Sequence, residues 1–288
     1  MYAGRFAPSP TGPLHFGSLV AALASWLDAR AARGRWLVRI EDLDAPRQQQ
    51  GAAHVILRTL ERFGLNWDGP VVYQSLRSQA YEAVLQKLRL QTYWCGCSRR
   101  EISDSSLGIA ADGAQIYPGT CRGGLPAGKA ARALRLNTGK EVIAFTDRVQ
   151  GAQAQVLESE VGDFIVYRAD GQFAYQLAVV VDDAEQDITD VVRGADLLDS
   201  TARQIHLQRL LGLPTPRYLH VPAALNAAGE KLSKQTGARP IDVAHPEQAV
   251  RKALRFLGQA PTGDLDEAIA NWDTSRIPRR RAIPVGDE

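Results

Sequence analysis

The chain has 288 residues, of which 23% are charged and 45% hydrophobic, so its composition excludes a disordered protein and a peptide-sized module. No run approaches the ~18 apolar residues that cross a bilayer, and no basic segment followed by an apolar run opens the sequence, so we expect a cytoplasmic protein without membrane contact. The net charge of +2 is too small to indicate nucleic-acid binding by itself.

The N-terminal region predicts a strand, a helix and a second strand. Residues 2–7 form the first strand, a Pro/Gly-rich loop follows at 8–13, a helix begins near Gly17, and residues 36–40 form the next strand. The helix is indicated by apolar residues at helical spacing, namely Leu19, Val20, Leu23, Trp26 and Leu27. Gly34 stands where a C-terminal cap belongs. This order predicts a right-handed parallel crossover, the opening half of a doubly wound sheet.

The rest of the chain predicts further helices, an irregular insertion and a return to buried apolar segments. Helices are expected at 51–63, 78–90, 199–211, 246–257 and 265–272, and strand-like or buried apolar segments at 164–167 and 175–181. We therefore predict an α/β fold of the Rossmann type with a doubly wound parallel sheet, an inserted metal-binding subdomain and a short helical C-terminal region. The expected segments are 1–92 and 161–225 for the two halves of the sheet, 93–160 for the insertion, and 226–288 for a basic loop and the helical end.

A first group of candidate site residues lies where the first helix begins. Unpaired backbone N–H groups and the helix dipole at such a terminus favour an anionic phosphate. His15 offers a hydrogen-bond donor to a phosphate oxygen, Gly17 allows close approach to the backbone, and Ser18 leaves room for a nucleotide. These three residues predict a nucleotide site.

A second group lies far downstream, where Lys231, Ser233 and Lys234 stand between Gly229 and Gly237. The glycines permit movement of the loop that carries the two lysines. A loop that closes would bring positive charge onto a leaving pyrophosphate only in the transition state. A solvated basic turn is the alternative interpretation.

The two groups together resemble the signatures of a known family. His15-Phe16-Gly17-Ser18 resembles the H-I-G-H signature, and Lys231-Leu232-Ser233-Lys234-Gln235 the K-M-S-K-S signature, of class I aminoacyl-tRNA synthetases. The segments 5–12, 39–44 and 192–196 are similar to the glutamyl branch of that family, and the resemblance runs from residue 4 to about 257. It implies that the protein uses ATP, with Mg²⁺, to activate glutamate as an adenylate, and that His15 and Lys234 are catalytic.

The same resemblance implies an amino-acid pocket, whose residues are Arg5, Ala7, Ser9, Glu41, Tyr175 and Arg193. Glutamate carries one ammonium and two carboxylates, so its site needs an acid and guanidinium groups that match a carboxylate. We expect Glu41, which follows the second strand, to bind the ammonium, and Arg5 with Arg193 to bind the side-chain carboxylate. The alternatives are a structural ion pair between Arg5 and Glu41 and a core position for Tyr175.

Three cysteines, Cys95, Cys97 and Cys121, predict a metal site in a reducing compartment. A closed structural zinc site needs four ligands, and no histidine lies between His54 and His206. The residues leave Tyr117, an acid such as Asp112 or Glu101, or water as the fourth ligand. The resemblance favours Tyr117 and one structural zinc ion; three unliganded cysteines are the alternative.

The nature of the acceptor is the last expectation. Synthetases of this branch continue into helical domains that read the anticodon, and the sequence after residue 258 is too short for such a domain. Phe16, Ser18, Gln235 and Tyr117 are similar to a truncated subgroup that attaches glutamate to queuosine at the wobble position of tRNA(Asp). The sequence therefore predicts glutamate, ATP and queuosine-containing tRNA(Asp) as partners of a monomer.

Two other functions remain open at this point. One is a short synthetase that charges the terminal adenosine of tRNA, and the other is a non-catalytic paralogue that binds an amino acid or tRNA. The presence of His15 and Lys234 favours an enzyme. Candidate RNA phosphate contacts are Arg99, Arg100 and the run 279–281.

Overall fold

The computed structural model describes residues 1–232 and 237–285. Within these residues the strands are β1 (Ala3–Phe6), β2 (Arg35–Ile40), β3 (Val72–Tyr73), β4 (Thr92–Cys95), β5 (Ala133–Leu136), β6 (Val142–Asp147), β7 (Gly151–Val156), β8 (Ile165–Tyr167), β9 (Asp190–Gly194), β10 (Arg217–Val221), β11 (Ala223–Leu225) and β12 (Ala282–Pro284). The α-helices are α1 (Phe16–Ala31), α2 (Ala52–Arg62), α3 (Ser78–Lys87), α4 (Arg99–Ser105), α5 (Leu157–Glu160), α6 (Tyr175–Glu185), α7 (Thr201–Leu211), α8 (Pro246–Phe256) and α9 (Leu265–Ala270). Of these helices, none is long and apolar enough to cross a membrane.

The central sheet is parallel and is built from two halves that lie side by side. In one half β1, β2 and β3 pair in that order and in parallel, and in the other β10 pairs in parallel with β9 and β6. The halves meet at β1 and β9, where the Thr189 N–H donates to the Ala3 carbonyl oxygen at 2.9 Å. The strand order β3-β2-β1 beside β9-β10 is that of a doubly wound sheet, so the predicted fold class is confirmed.

Helix α1 covers the first half of the sheet through the apolar residues predicted from its spacing, all of which are buried. Its end differs from the prediction. The residue with left-handed backbone is Arg33, at φ 52°, and the N–H of Gly34 then donates to the Ala29 carbonyl at 2.8 Å. Gly34 is required for another reason, because a Cβ there would lie 2.5 Å from the carbonyl oxygen of Tyr2. The glycine allows β1 and the turn before β2 to pack closely.

The segment 175–181, expected to be strand-like or buried apolar, is helical, so the strand-like alternative was wrong and the buried apolar alternative is the one that the structure bears out. Its valines favour a strand, but a short apolar run does not distinguish a buried helix from a buried strand. Leu177 to Val181 are all buried, so no polar face marks the helical period. The helix α6 continues to Asp182 and Asp183, whose carboxylates meet arginines from neighbouring elements.

The insertion and the second half of the sheet exchange strands across the predicted boundary at residue 160. β8 pairs antiparallel with β5, which pairs with β4, so this small sheet combines the insertion with a strand from 161–225. The hairpin of β6 and β7 lies within 93–160 but joins the central sheet through Asp147 and Tyr218. The predicted boundary at residue 160 therefore divides the sequence, but strands on its two sides pair within the same sheets.

The C-terminal part packs on the outer side of α1. Val250, Leu254 and Leu257, predicted to share one helix face, are buried in the same apolar cluster as α1. β12 then pairs in parallel with β11. Arg281 is held just before β12 by Asp199, with nitrogen–oxygen distances of 3.0 and 2.9 Å. Arg281 is therefore paired with a carboxylate, and Arg279, Arg280 and Arg281 are all exposed.

Candidate active site

Two adjoining cavities open at the carboxyl ends of β1, β2, β9 and β10, the edge where open α/β sheets bind ligands. The larger encloses about 650 Å³ and the smaller about 270 Å³. Phe6, Ser9, Ala21 and Leu197 line both cavities. Two ligands bound in them would therefore meet across a short shared wall.

All six residues predicted for the amino-acid pocket line the smaller cavity. They are Arg5, Ala7, Ser9, Glu41, Tyr175 and Arg193. They come from three separate parts of the chain: β1 with the loop that follows it, the residue directly after β2, and the pair formed by α6 and β9. The Glu41 N–H donates to the Pro8 carbonyl at 3.0 Å and ties the first two parts together. The fold thus gathers residues far apart in sequence into one small, charged space.

Arg5 is fixed by a carboxylate that sequence reasoning missed. Its Nε and Nη2 donate to the two oxygens of Asp183 on α6, at 3.1 and 3.3 Å. Arg39, fully buried, donates to the same carboxylate at 2.8 Å and to Glu41 at 3.4 Å. The suggested ion pair between Arg5 and Glu41 is thus replaced by pairs with Asp183 and Arg39. The signal that was available was the acidic pair Asp182-Asp183 directly after a buried apolar run.

Glu41 lies at the boundary between this ion network and the cavity. Burial raises the pKa of its carboxyl, while the guanidinium groups of Arg39 and Arg5 oppose that effect. A cation that entered the smaller cavity would favour the ionised form of Glu41 and would gain an acceptor of low exposure. The site is therefore suited to a ligand with a positive group near its α-carbon.

Arg193 is held on the cavity wall by four partners, one of which is the Leu197 carbonyl, 3.4 Å from its Nη2. Its Nε donates to His220 Nε2 at 2.9 Å, its Nη2 to Thr201 Oγ1 at 3.0 Å, and its Nη1 lies 3.5 Å from the Tyr175 hydroxyl. His220 in turn contacts Asp147 at 2.6 Å. Sequence reasoning did not single out Thr201, His220 or Asp147, because a lone polar residue in a strand or helix carries no motif.

The larger cavity is lined by the start of α1. His15 caps this helix, with its Nδ1 accepting from the Ser18 N–H at 3.4 Å, so the neutral imidazole carries its proton on Nε2. Gly17 and Ser18 line the same cavity, and a Cβ at Gly17 would lie 3.3 Å from the His15 ring. His15 occupies the Ser18 N–H, whereas Gly17 has no side chain, so a phosphate could approach the backbone there.

The basic loop reaches this cavity through Lys231, which pairs with Asp196 at its edge. The predicted residues Ser233 and Lys234 lie outside the described residues. On either side of them the chain is attached to the cavity wall: the Leu232 N–H donates to Ala224, and the Ile241 N–H donates to Leu14.

The three predicted cysteines converge in the insertion. The sulfurs of Cys95, Cys97 and Cys121 lie within 4.8 Å of one another, with 3.6 Å between Cys97 and Cys121. The Tyr117 hydroxyl is 3.4 and 3.6 Å from the sulfurs of Cys95 and Cys97. A tetrahedral ion with metal–sulfur bonds of about 2.3 Å and a metal–oxygen bond of about 2.0 Å separates its ligands by roughly 3.5–3.8 Å. These side chains therefore fit a four-coordinate metal.

The other candidate ligands have partners of their own. Asp112 pairs with Arg203 on α7, and Glu101 accepts from the Ser98 N–H at 2.8 Å as part of a helix cap. Burial opposes ionisation of Cys95, but its hydrogen bonds with Tyr117 and Arg135 outweigh burial and lower the pKa of the thiol to about 7. Burial and the neighbouring sulfurs raise the pKa of Cys97 to about 11, so a bound cation would be needed to favour the thiolate there.

Comparison with known proteins identifies the family to which the chain belongs. Residues 2–270 match the family described as tRNA synthetases class I (E and Q), catalytic domain. A glutamyl-Q tRNA(Asp) synthetase of Aromatoleum aromaticum is 56% identical, over 97% of this chain and 91% of that protein. Another, from Burkholderia pseudomallei, is 60% identical over 97% of this chain and 99% of that protein.

Solved structures show the same fold. The glutamate-tRNA synthetase of Elizabethkingia anophelis superposes with a TM-score of 0.81 at 26% identity, over 98% of this chain and 67% of that chain. A glutamate tRNA ligase from Elizabethkingia meningosepticum gives a TM-score of 0.82 at 24% identity, over 99% and 67%. The chain therefore belongs to the class I tRNA synthetase family (E and Q) and, within it, to the glutamyl-Q tRNA(Asp) synthetases.

Proposed function

We propose that the protein activates glutamate with ATP and transfers the glutamyl group to queuosine at the wobble position of tRNA(Asp). The observation that carries this proposal is the pair of adjoining cavities, one shaped for a small zwitterion with an extra carboxylate and one for a nucleotide. In the first step a carboxylate oxygen of glutamate attacks the α-phosphorus of ATP and pyrophosphate leaves. In the second step a queuosine hydroxyl attacks the carbonyl carbon and AMP leaves.

The smaller cavity takes glutamate. Glu41 receives the ammonium, and Arg193 and Tyr175 receive the side-chain carboxylate together with the Nη1 edge of Arg5. Ala7 and Ser9 belong to the short wall next to the larger cavity, where small side chains let the α-carboxylate approach the nucleotide. An amide in place of the side-chain carboxylate would turn an N–H donor towards Arg193, so glutamine is disfavoured.

The larger cavity takes ATP. The N-terminus of α1 receives phosphate oxygens, the His15 Nε2–H donates to them, and Gly17 and Ser18 leave the space that the nucleotide needs. Lys231, Ser233 and Lys234 supply positive charge and hydrogen bonds to the departing pyrophosphate. Mg²⁺ would add charge compensation on the phosphates.

The cysteine cluster holds one structural zinc ion with Cys95, Cys97, Cys121 and Tyr117 as ligands. When bound, the ion closes the turn between β4 and the loop before β5. Four protein ligands leave no position for substrate, so the ion orders the insertion and takes no part in the chemistry. We infer that segment 93–160 forms the metal-stabilised insertion, that segments 1–92 and 161–225 form the catalytic halves, and that segment 226–288 carries the basic loop.

The reaction needs tRNA and ATP, which are available in the cytoplasm, and the proposed site is complete within one chain. We therefore place the protein in the cytoplasm as a monomer. A sedimentation experiment that gave twice the mass of 31.4 kDa would contradict the monomer.

The test of the function compares tRNA(Asp) with and without queuosine, using labelled glutamate. We expect label only on the queuosine-containing tRNA. We also expect this tRNA to be labelled when its terminal ribose alone has been oxidised with periodate before the reaction. Equal labelling of both tRNAs, or loss of labelling after that treatment, would favour a short synthetase that charges the terminal adenosine. An absence of glutamate-dependent pyrophosphate exchange would favour a non-catalytic binding protein.

A further inference from the structure

A buried chain of three polar side chains ends at the smaller cavity. Asp147, at the end of β6, contacts His220 Nδ1 at 2.6 Å, and His220 Nε2 contacts Arg193 Nε at 2.9 Å. Asp147 and His220 are inaccessible to solvent through their side chains. Nothing in the proposed chemistry uses Asp147 or His220 directly, so their arrangement needs a separate explanation.

The contacts on both sides of the His220 ring, with Asp147 and with Arg193, fix the same tautomer. Asp147 Oδ1 accepts from the N–H groups of Val149, Gln150 and His220 at 3.0, 2.8 and 3.2 Å, which leaves Oδ2 to accept a proton from Nδ1. At the other end the Nε–H of Arg193 is always a donor, so His220 Nε2 has to be an acceptor. Both contacts are satisfied only by a neutral imidazole protonated on Nδ1. Burial keeps it neutral by lowering the pKa of His220 to about 4.

The fixed tautomer of His220 helps to hold the guanidinium of Arg193 in one orientation. His220 takes Nε, and Thr201 Oγ1 and the Leu197 carbonyl take Nη2, at 3.0 and 3.4 Å. The remaining nitrogen, Nη1, lies beside the Tyr175 hydroxyl on the cavity wall. A planar group held at two of its three nitrogens has one orientation.

We propose that Asp147 and His220 are positioning residues that hold Arg193 so that its Nη1 edge reads the side-chain carboxylate of the amino acid, and that they thereby set the preference for glutamate over glutamine. This inference rests on the proposed function of the smaller cavity. The pair acts through hydrogen bonding alone and touches no reacting atom.

Three substitutions separate positioning from packing. Asp147→Asn keeps the Oδ1 acceptor for the backbone but places an amide N–H opposite Nδ1, so the imidazole proton moves to Nε2 and faces the Arg193 donor. His220→Asn keeps a donor towards Asp147 but does not reach Arg193. His220→Gln is the matched control, because its carbonyl oxygen can occupy the place of Nε2 and accept from Arg193.

The measurements are pyrophosphate exchange with glutamate and with glutamine, the KM for ATP, and the thermal midpoint. Asp147→Asn and His220→Asn should each raise the KM for glutamate and lower the glutamate-to-glutamine preference by roughly 10-fold or more, the effect of a misplaced charged hydrogen bond. His220→Gln should stay within about 3-fold of the wild type, and the KM for ATP should change little throughout. Adding Asp147→Asn to His220→Gln should have little further effect on glutamate, because no imidazole remains to change its tautomer.

The outcomes distinguish this inference from the function on which it rests. A wild-type protein without glutamate-dependent exchange would overturn the proposed function and this role with it. An active wild type whose glutamate preference is unchanged by Asp147→Asn and His220→Asn would overturn the role of the pair alone. Equal losses in His220→Gln and His220→Asn, with the ATP KM and thermal midpoint changed in parallel, would reduce His220 to a packing residue.

Discussion

The two cavities that meet at Ser9 are lined by different kinds of groups. The smaller one is walled by charged side chains that are almost completely buried, and each of them has a partner in the folded protein. The larger one is walled by a helix terminus, apolar side chains and three charged residues that reach solvent, Arg47, Asp196 and Lys231. The first has its hydrogen-bonding directions fixed before any ligand binds, whereas the second offers space and backbone N–H groups.

The difference matches what each ligand demands. Glutamate differs from glutamine by one group, and discrimination by a single group requires donors that cannot turn to suit an amide. A triphosphate carries several equivalent oxygens, so charge and backbone N–H groups suffice to hold it. Rigidity is therefore concentrated around the amino acid.

The largest expected effect concerns Arg39, which joins Asp183 and Glu41 at the base of the smaller cavity. Arg39→Met would leave Glu41 buried without its main cation and Asp183 with Arg5 alone, and we expect the free energy of unfolding to fall by about 3–5 kcal/mol. Urea denaturation measures it. The control is Arg58→Met, which removes an exposed pair with Glu61 and should cost at most about 0.5 kcal/mol. Similar losses in the two variants would mean that the buried network does not carry the stability of the cavity.

A second test uses pH to examine the same network at His220. Its pKa is about 4 in the folded protein, below the ordinary value of 6.5, because burial and Arg193 disfavour the charged ring more than Asp147 and Asp196 favour it. The unfolded chain therefore binds the proton first, and the stability due to neutral His220 is present above pH 6.5 and lost as the pH falls to 4. The full loss is about 3 kcal/mol.

Other carboxyl groups also titrate in this range, so the measurement is a difference. The free energy of unfolding of the wild type should fall more steeply between pH 6.5 and 4.5 than that of His220→Gln. Parallel curves for the two proteins would contradict a neutral, buried His220.

The third effect tests whether the fixed donors select the ligand. Arg193→Lys keeps the charge but loses the planar fork, and we expect kcat/KM for glutamate to fall about 30- to 100-fold, or roughly 2–3 kcal/mol, with little change in the KM for ATP. Steady-state pyrophosphate exchange measures both constants. A loss shared equally between glutamate and ATP would show that the two cavities are not separable in the way described above.

Much of this architecture could be predicted because local sequence patterns indicate it. The apolar spacing of α1, the strands on either side of it and the faces of α8 follow from periodicity, and the parallel order follows from the crossover. His15 and Glu41 were predicted as site residues because they match motifs of a known family and lie at a helix start and a strand end, and the structure places them at the two cavities. The cysteines were found because few residue types bind metals at that spacing.

The rest depended on contacts that no local pattern records. Asp183 and His220 follow or lie within apolar stretches of the sequence, and their polar partners, such as Arg5 and Asp147, lie far along the chain. The segment of α6 was left open between strand-like and buried apolar because its residues 177–183 are buried and no polar face marks a helical period. The left-handed backbone of Arg33 was not predicted. The adjacent Gly34 was taken for the helix cap, whereas it is required because Tyr2 packs against it.

A smaller effect concerns the metal-binding cluster in the insertion. Tyr117→Phe removes the proposed oxygen ligand and keeps the ring under Arg135, and we expect zinc affinity to fall roughly 10- to 100-fold, or about 1.4–2.7 kcal/mol. Competition with a coloured chelator measures it. Cys121→Ser is the control for loss of an established type of ligand and should weaken binding more. Unchanged affinity in Tyr117→Phe would leave the three cysteines with water or another group as the fourth ligand.

The smallest expected effect lies at the edge of the larger cavity, where Lys231 pairs with Asp196. The lysine is about half exposed, so solvent screens its charge and each of its contacts contributes little. Lys231→Met should raise the KM for ATP about 3- to 10-fold, or roughly 1 kcal/mol, and leave the KM for glutamate unchanged. Lys140→Met, at an exposed lysine outside both cavities, controls for the change in net charge. Raising the salt concentration should shrink the difference between Lys231→Met and the wild type, whereas the effect of Arg193→Lys should persist because Arg193 is buried. If salt weakened both effects equally, the contrast between a fixed amino-acid cavity and a screened nucleotide cavity would fail.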